Sequence, residues 1–209
     1  MPIHEHSEIE VKLPADNVDV NAFLAFCFGH RPVKYTIVSD TPDAYWEQGQ
    51  NVVRHRDNTD GTHELTVKRR KSGTSIRDRL EVDLHFAPGT RVADAEAWLT
   101  QAGFSKAFTL AKTAHIFWFR QKRHRVTVVI YDVWRVAEDG KQADRRRFIE
   151  VEAEKGSDVS VEAAKRHLRA WVGMIDCEFD VGEASNESLW ELYSGRRYQV
   201  VDGQRPGAI

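Results

Sequence analysis

Two short acidic stretches near opposite ends of the chain, Glu8-Ile9-Glu10-Val11-Lys12 and Glu150-Val151-Glu152-Ala153-Glu154, constrain its fold more than any other feature. Each alternates charged and apolar residues, and a strand sends alternate side chains to opposite faces. Glu8, Glu10 and Lys12 then share one face, and Glu150, Glu152 and Glu154 share another, while Ile9, Val11, Val151 and Ala153 point away from them. The same alternation recurs at Arg54/Arg56, Lys68/Arg70 and Arg79/Glu81/Asp83. An ordinary half-buried strand turns its apolar face inward and leaves its charges to water. Many strands, each with one charged face, suggest instead a closed sheet whose charged faces meet inside and whose apolar faces build an outer core.

Strand patterns fall at residues 5–13, 33–39, 45–56 (interrupted near Gly49), 64–70, 76–86, 108–119, 126–135 and 147–155. Asn58-Thr59-Asp60-Gly61 carries the Asp-Gly signal of a hairpin turn. Apolar stripes at helical spacing predict helices over 18–28, 92–102 and 161–172, with a short one at 188–193. Strands outnumber helices and no Pro/Gly/Ser-rich linker divides the chain. The expectation is one α+β domain over residues 5–195, an antiparallel β-barrel with peripheral helices, followed by a loose tail at 196–209.

Lys and Arg total 30 against 32 Asp and Glu, a formal net charge of -2. That balance argues against a general nucleic-acid coat, which needs a basic excess, but it permits sharp local segregation of charge. Cys27 and Cys177 fit no zinc spacing and read as buried free thiols on helices. No apolar run approaches the roughly 20 residues of a membrane span, so no membrane partner is expected. Met1-Pro2-Ile3-His4-Glu5 lacks the basic and apolar regions of a signal peptide, and a cytoplasmic protein is the expectation. Oligomeric state is not legible.

The charged faces gather a basic set (Lys12, Arg54, Arg56, Lys68, Arg70, Arg79 and Lys112) and an acidic one (Glu8, Glu10, Glu81, Asp83, Asp132, Glu150, Glu152 and Glu154). Charges inside a fold are costly unless they are paired, solvated or bound to metal. Arg matches phosphate with a planar fork of donors. Carboxylates without His or Cys favour hard cations such as Mg²⁺ or Mn²⁺. Together they describe a site for a metal-bound polyphosphate. Each element also has a plainer reading as a solvated strand face. Asp132 resists it, lying between Tyr131 and Val133 in the most apolar strand pattern. Arg145-Arg146-Arg147 reads as an exposed basic patch, and Phe117, Trp118 and Phe119 as outer core.

The order of these elements resembles the CYTH family, also called triphosphate tunnel metalloenzymes. The resemblance rests on Glu8-Ile9-Glu10-Val11-Lys12, similar to the N-terminal ExExK motif. It continues through Asp43-Ala44-Tyr45-Trp46, Val53-Arg54-His55-Arg56, Leu65-Thr66-Val67-Lys68, Arg79-Leu80-Glu81-Val82-Asp83, Ile130-Tyr131-Asp132-Val133 and Phe148-Ile149-Glu150-Val151-Glu152. Asn186-Glu187-Ser188-Leu189-Trp190-Glu191-Leu192 is similar to a short segment near the end of many members. The resemblance implies an eight-stranded antiparallel tunnel that binds a triphosphate and uses Mg²⁺ or Mn²⁺ to hydrolyse or rearrange it. It implies that Glu8, Glu10, Asp132, Glu150 and Glu152 surround metal. Lys12, Arg54, Arg56, Lys68, Arg79 and Lys112 would hold phosphate, Glu81 and Asp83 would orient neighbouring bases, and Glu8 or Glu10, with Lys12, would serve catalysis. In the fifth strand, members often carry a Lys-x-Arg pair. Lys112-Thr113-Ala114 keeps the lysine and loses the arginine, with Arg120 or Arg125 as candidate replacements.

The leading expectation is a metal-dependent triphosphatase acting on inorganic tripolyphosphate or an organic triphosphate. Alternatives are an adenylate cyclase releasing pyrophosphate, a non-catalytic polyphosphate-binding module, and, lower, an RNA 5′-triphosphatase with Lys122, Arg123 and Arg125 guiding the strand.

Overall fold

The computed structural model describes residues 3–49, 51–58, 61–70, 77–87, 89–121, 124–154, 160–185 and 187–196. Eight antiparallel strands carry the architecture: β1 (Ile3–Pro14), β2 (Lys34–Gln48), β3 (Asn51–Asp57), β4 (His63–Arg70), β5 (Arg77–His85), β6 (Ser105–Gln121), β7 (His124–Val136) and β8 (Gln142–Glu154). Helices α1 (Val20–Gly29), α2 (Val92–Gln101), α3 (Val161–Glu178) and α4 (Leu189–Ser194) complete the α+β chain. The strand order is β1-β5-β4-β3-β2-β6-β7-β8, and β8 pairs back onto β1, so each strand has two neighbours.

The inverted alternation works because helices cover the outside of this ring. Ile9, Val11 and Leu13 of β1 join Val126, Val128 and Ile130 of β7 and Ile149 and Val151 of β8 in one buried cluster. Phe23 and Cys27 of α1 and Leu168, Trp171 and Ile175 of α3 close over it. Burying one such side chain contributes about 1.5–3 kcal/mol, so this layer is where the ring finds its stability. Burial pushes the Cys27 thiol up to about 12, leaving it inert. Cys177 corrects the expectation for the second thiol: it is exposed. Leu99 of α2 packs on Ala44, Trp46, Val53 and Leu65 in a second outer cluster.

Among the boundaries that differ from the sequence reading, three have a clear physical cause. The interruption expected near Gly49 is a full turn (φ +59) that divides 45–56 between β2 and β3. The strand expected at 33–39 instead runs on through Pro42, with a register shift between Val38 and Thr41 and Asp40 at φ +51. Aspartate tolerates that left-handed conformation better than most residues. The helix expected to end at 172 continues through Gly173 to Glu178, because Trp171 and Ile175 keep its stripe on the core. Thr59, Asp60, Lys122, Arg123 and residues 197–209 lie outside the described residues. No described helix is long and apolar enough to cross a membrane.

Beneath α2 the outer face buries two histidines, His55 and His63, each 2% exposed. His63 Nε2 lies 2.9 Å from the Thr90 carbonyl, and its Nδ1 lies 3.0 Å from His55 Nε2. A carbonyl only accepts, so His63 donates to it through Nε2, and its Nδ1 shares one hydrogen with His55 Nε2. Burial first, and then His63, lower the His55 pKa below 6.5. The unfolded chain therefore binds the proton more readily. Stability from His55 is complete above pH 6.5 and declines as pH falls below it. Urea unfolding at pH 7.5 and 5.5 is expected to show that decline, and His55→Leu to flatten it.

Candidate functional site

The inward faces enclose a cavity of about 380 Å³. Glu10 and Lys12 of β1 enter it because Ile9, Val11 and Leu13 are committed to the outer core. Register then fixes their neighbours: Glu10 stands opposite Glu152, and Lys12 opposite Glu150. Arg54 and Arg56 enter from β3, and Lys112 from β6. The cavity thus receives Glu10, Lys12, Arg54, Arg56, Lys112, Glu150 and Glu152 of the residues singled out above, together with Asp83.

Pairing holds most of these charges in place. Lys12, 1% exposed, sets its Nζ 3.0 Å from Glu150 Oε1, and the same carboxylate accepts from Tyr131 at 3.0 Å. Burial and Glu10 raise the Glu150 pKa, but Lys12 outweighs them and holds the carboxyl below its ordinary range. Arg56 grips Asp43 with two donors, Nε at 2.6 Å and Nη2 at 2.8 Å. Lys112 Nζ lies 4.0 Å from the same carboxylate. Burial raises the Asp43 pKa, yet Arg56, Lys112 and Arg54 more than offset it, so the group stays ionised well below the usual carboxylate range. Arg54 donates through Nη2 to Glu64 at 3.1 Å and Thr66 at 2.8 Å. Burial, then Arg56, push the Lys112 amine down to about 8.

Asp132 is not brought to the cavity. The inward residues of β7 are Thr127, Val129 and Tyr131, so Asp132 faces out. There it accepts from Arg147 at 2.8 Å and Arg145 at 2.8 Å. These arginines, expected as an exposed basic patch, lie on β8; Arg145 and Arg146 are exposed, Arg147 is half-buried, and Arg146 pairs with Asp16. Arg120 and Arg125 face each other across β6 and β7, both exposed, and neither lines the cavity. Ala114 occupies the place two residues past Lys112. The side chains of Glu8, Lys68, Arg70, Arg79, Glu81 and Glu154 lie outside the described set, although their strands are in place.

Sequence reasoning assigned no role to Asp43, Tyr45, Glu64, Thr66 or Tyr131, all of which line the cavity. Glu64 and Thr66 share parity with Lys68, so the alternation on β4 carried that signal. Ser188, Leu189 and Trp190 close the cavity from α4. Ser188 caps the helix and forms a capping box with Glu191, while Trp190 donates to Glu47 at 2.6 Å. Tyr193 donates to the carbonyls of Val133 and Asp144, so α4 lies across the strand ends where these residues stand.

Two observations bear on what the cavity could hold. Arg54 Nε and Thr41 Oγ1 are buried without a hydrogen-bond partner among the described residues, although buried polar atoms ordinarily have one. Arg54 Nε is a donor suited to an anion. Glu10 and Glu152 are direct cross-strand neighbours and both line the cavity. No described group of three or more His, Cys, Asp or Glu side chains stands ready to hold a metal ion. Mg²⁺, however, is commonly held by one or two carboxylates with waters and substrate phosphates. Glu10 and Glu152 meet that requirement.

No family model matches the chain, and no curated protein matches it in sequence. Solved structures do match its fold. A conserved hypothetical protein from Pyrococcus furiosus superposes with a TM-score of 0.64 at 18% identity, over 88% of this chain and 99% of that one. A Pyrococcus horikoshii protein gives 0.63 at 16% identity, over 91% and 99%. HpAC1 from Hippeastrum, a protein with dominant triphosphatase activity, gives 0.54 at 12% identity, over 92% and 97%.

Proposed function

We propose that this chain, which has the triphosphate tunnel fold, hydrolyses a triphosphate in the cavity between its strands with the help of a divalent metal ion. The convergence of Lys12, Arg54, Arg56 and Lys112 with Glu10, Glu150 and Glu152 in one small cavity carries the reading. Arg54 and Arg56 hold the phosphate chain, with Arg54 Nε offering a donor not spent on the protein. Lys12 and Lys112 neutralise charge on the phosphoryl oxygens as the transition state develops. Glu10 and Glu152 would hold Mg²⁺ or Mn²⁺, which would supply further charge neutralisation. The same carboxylates orient the attacking water. Its oxygen bonds to the terminal phosphorus, the bridging P–O bond breaks, and orthophosphate and the shortened phosphate chain leave.

³¹P NMR of the purified protein with Mg²⁺ or Mn²⁺, in separate samples of tripolyphosphate and ATP, tests this. Orthophosphate supports hydrolysis. Cyclic nucleotide with pyrophosphate would make the chain a cyclase, and tight binding without turnover a binding module.

The depressed Lys112 amine makes its own prediction. It carries charge below about pH 8 and loses it above. Plots of log kcat/KM against pH are expected to fall on the alkaline side of 8. Lys112→Arg, charged throughout, moves that limb upward.

A further inference from the structure

Inside the cavity β6 and β7 meet as three facing pairs, Ala114 with Tyr131, Ile116 with Val129 and Trp118 with Thr127. Trp118 alone of the run 117–119 turns inward, since Phe117 and Phe119 are buried in the outer core. The first pair lies two residues along β6 from Lys112, where an arginine would complete a Lys-x-Arg pair. With only a methyl group there, the Tyr131 ring packs with Ala114, Tyr45, Val129 and Phe148 in one buried cluster. That packing fixes the ring and with it the direction of the hydroxyl. The hydroxyl donates to Glu150 Oε1 at 3.0 Å, the same oxygen that Lys12 Nζ meets at 3.0 Å. Lys112 Nζ stands 5.9 Å from the ring centroid, so Tyr131 meets the surroundings of both cavity lysines.

Lys12 has two needs that conflict. A buried ammonium is costly without a partner, yet a partner that takes its whole charge leaves none for a phosphoryl group. A carboxylate accepts on both oxygens, so a lysine and a glutamate left to themselves can pivot into a tighter pair. A second donor on Oε1 opposes that turn, because turning breaks a hydrogen bond to a charged group. It also shares the charge of the oxygen that Lys12 faces. Burial first, and then Glu150, push the Tyr131 pKa well above its ordinary value, so the hydroxyl keeps its hydrogen and goes on donating. We propose that Tyr131 is a positioning residue: through Glu150 its hydroxyl holds Lys12 ready for the phosphoryl group, in the room left by Ala114. This rests on the triphosphatase reading above and adds to it a residue that alternation did not mark. Lys12 serves charge that develops in the transition state, so the hydroxyl should be felt in kcat rather than KM.

Tyr131→Phe tests this, since it removes the hydroxyl and keeps the ring. Rates are measured with Mg²⁺ or Mn²⁺ on whichever of tripolyphosphate and ATP the wild type turns over faster, and circular dichroism checks that each variant is folded. kcat is expected to fall about tenfold to a hundredfold, the worth of one hydrogen bond to a charged group, with KM changed less than about twofold. Glu150→Gln tests the route. Added to that variant, Tyr131→Phe should cost less than about threefold more, because both changes break one chain of contacts. A loss carried by KM, no loss at all, or the full loss repeated on top of Glu150→Gln overturns the proposal and leaves the triphosphatase reading standing. A wild type that turns over neither compound overturns both.

Discussion

Replacing Asp43 with alanine is expected to lower the unfolding free energy by about 3–5 kcal/mol at pH 7, the usual loss when one partner of a buried ion pair is removed. Asp43 is 2% exposed and accepts two bonds from Arg56, while Lys112 stands at 4.0 Å. Without it, Lys112 loses the carboxylate 4.0 Å away and Arg56 is left with Glu64. Asp43→Asn keeps an oxygen for Arg56 but loses the charge, and should fall between wild type and alanine. Urea unfolding of the three proteins measures the series. A loss below 1 kcal/mol in the alanine variant would show that Glu64, 3.9 Å from Arg56 Nη1, takes over the pairing. The acid dependence has a defined sign. The folded pKa of Asp43 lies below its ordinary 3.8. Its contribution is therefore intact above pH 4 and is lost only as pH falls through the folded value.

Glu152→Gln should separate activity from stability. Loss of a preorganised electrostatic group typically lowers kcat about 10²–10³-fold, and that loss is expected for metal-dependent turnover. Stability should move by less than about 1 kcal/mol, the scale of one cross-strand pair such as Glu152 with Glu10. Turnover with saturating Mg²⁺ and thermal unfolding without it supply the two readings. Full activity in this variant would remove Glu152 from the metal assignment. An unfolded variant would make the carboxylate a structural group.

How much of this was legible varied with the strand. On β1, β3 and β8 the apolar and charged residues separate cleanly by parity. Glu10, Lys12, Arg54, Arg56, Glu150 and Glu152 could therefore be assigned to one interior before any coordinates. On β7 parity carries no sign, because Val126, Val128 and Ile130 fill the outer core while Val129 and Tyr131 fill the inner one. Asp132 was assigned inward on the apolarity of its neighbours, and only the register, which sets it opposite Arg147, shows why it lies outside. Asp43 was hidden for another reason. The irregularity between Val38 and Thr41 changes which residues of β2 face inward, and a reading by alternation alone cannot carry a face across it. Trp118 had the opposite difficulty. Three consecutive aromatics look like core on either face, and pairing on both sides was needed to turn one inward.

Helix α4, lying across the strand ends near Glu47, Val133 and Asp144, has a kinetic consequence. Traffic through that end is obstructed, so entry and exit would have to share the opposite end. A substrate seated with its terminal phosphate deepest would then release its shortened phosphate compound before orthophosphate. A polymer could offer such a chamber only its terminus, never an internal stretch threaded through.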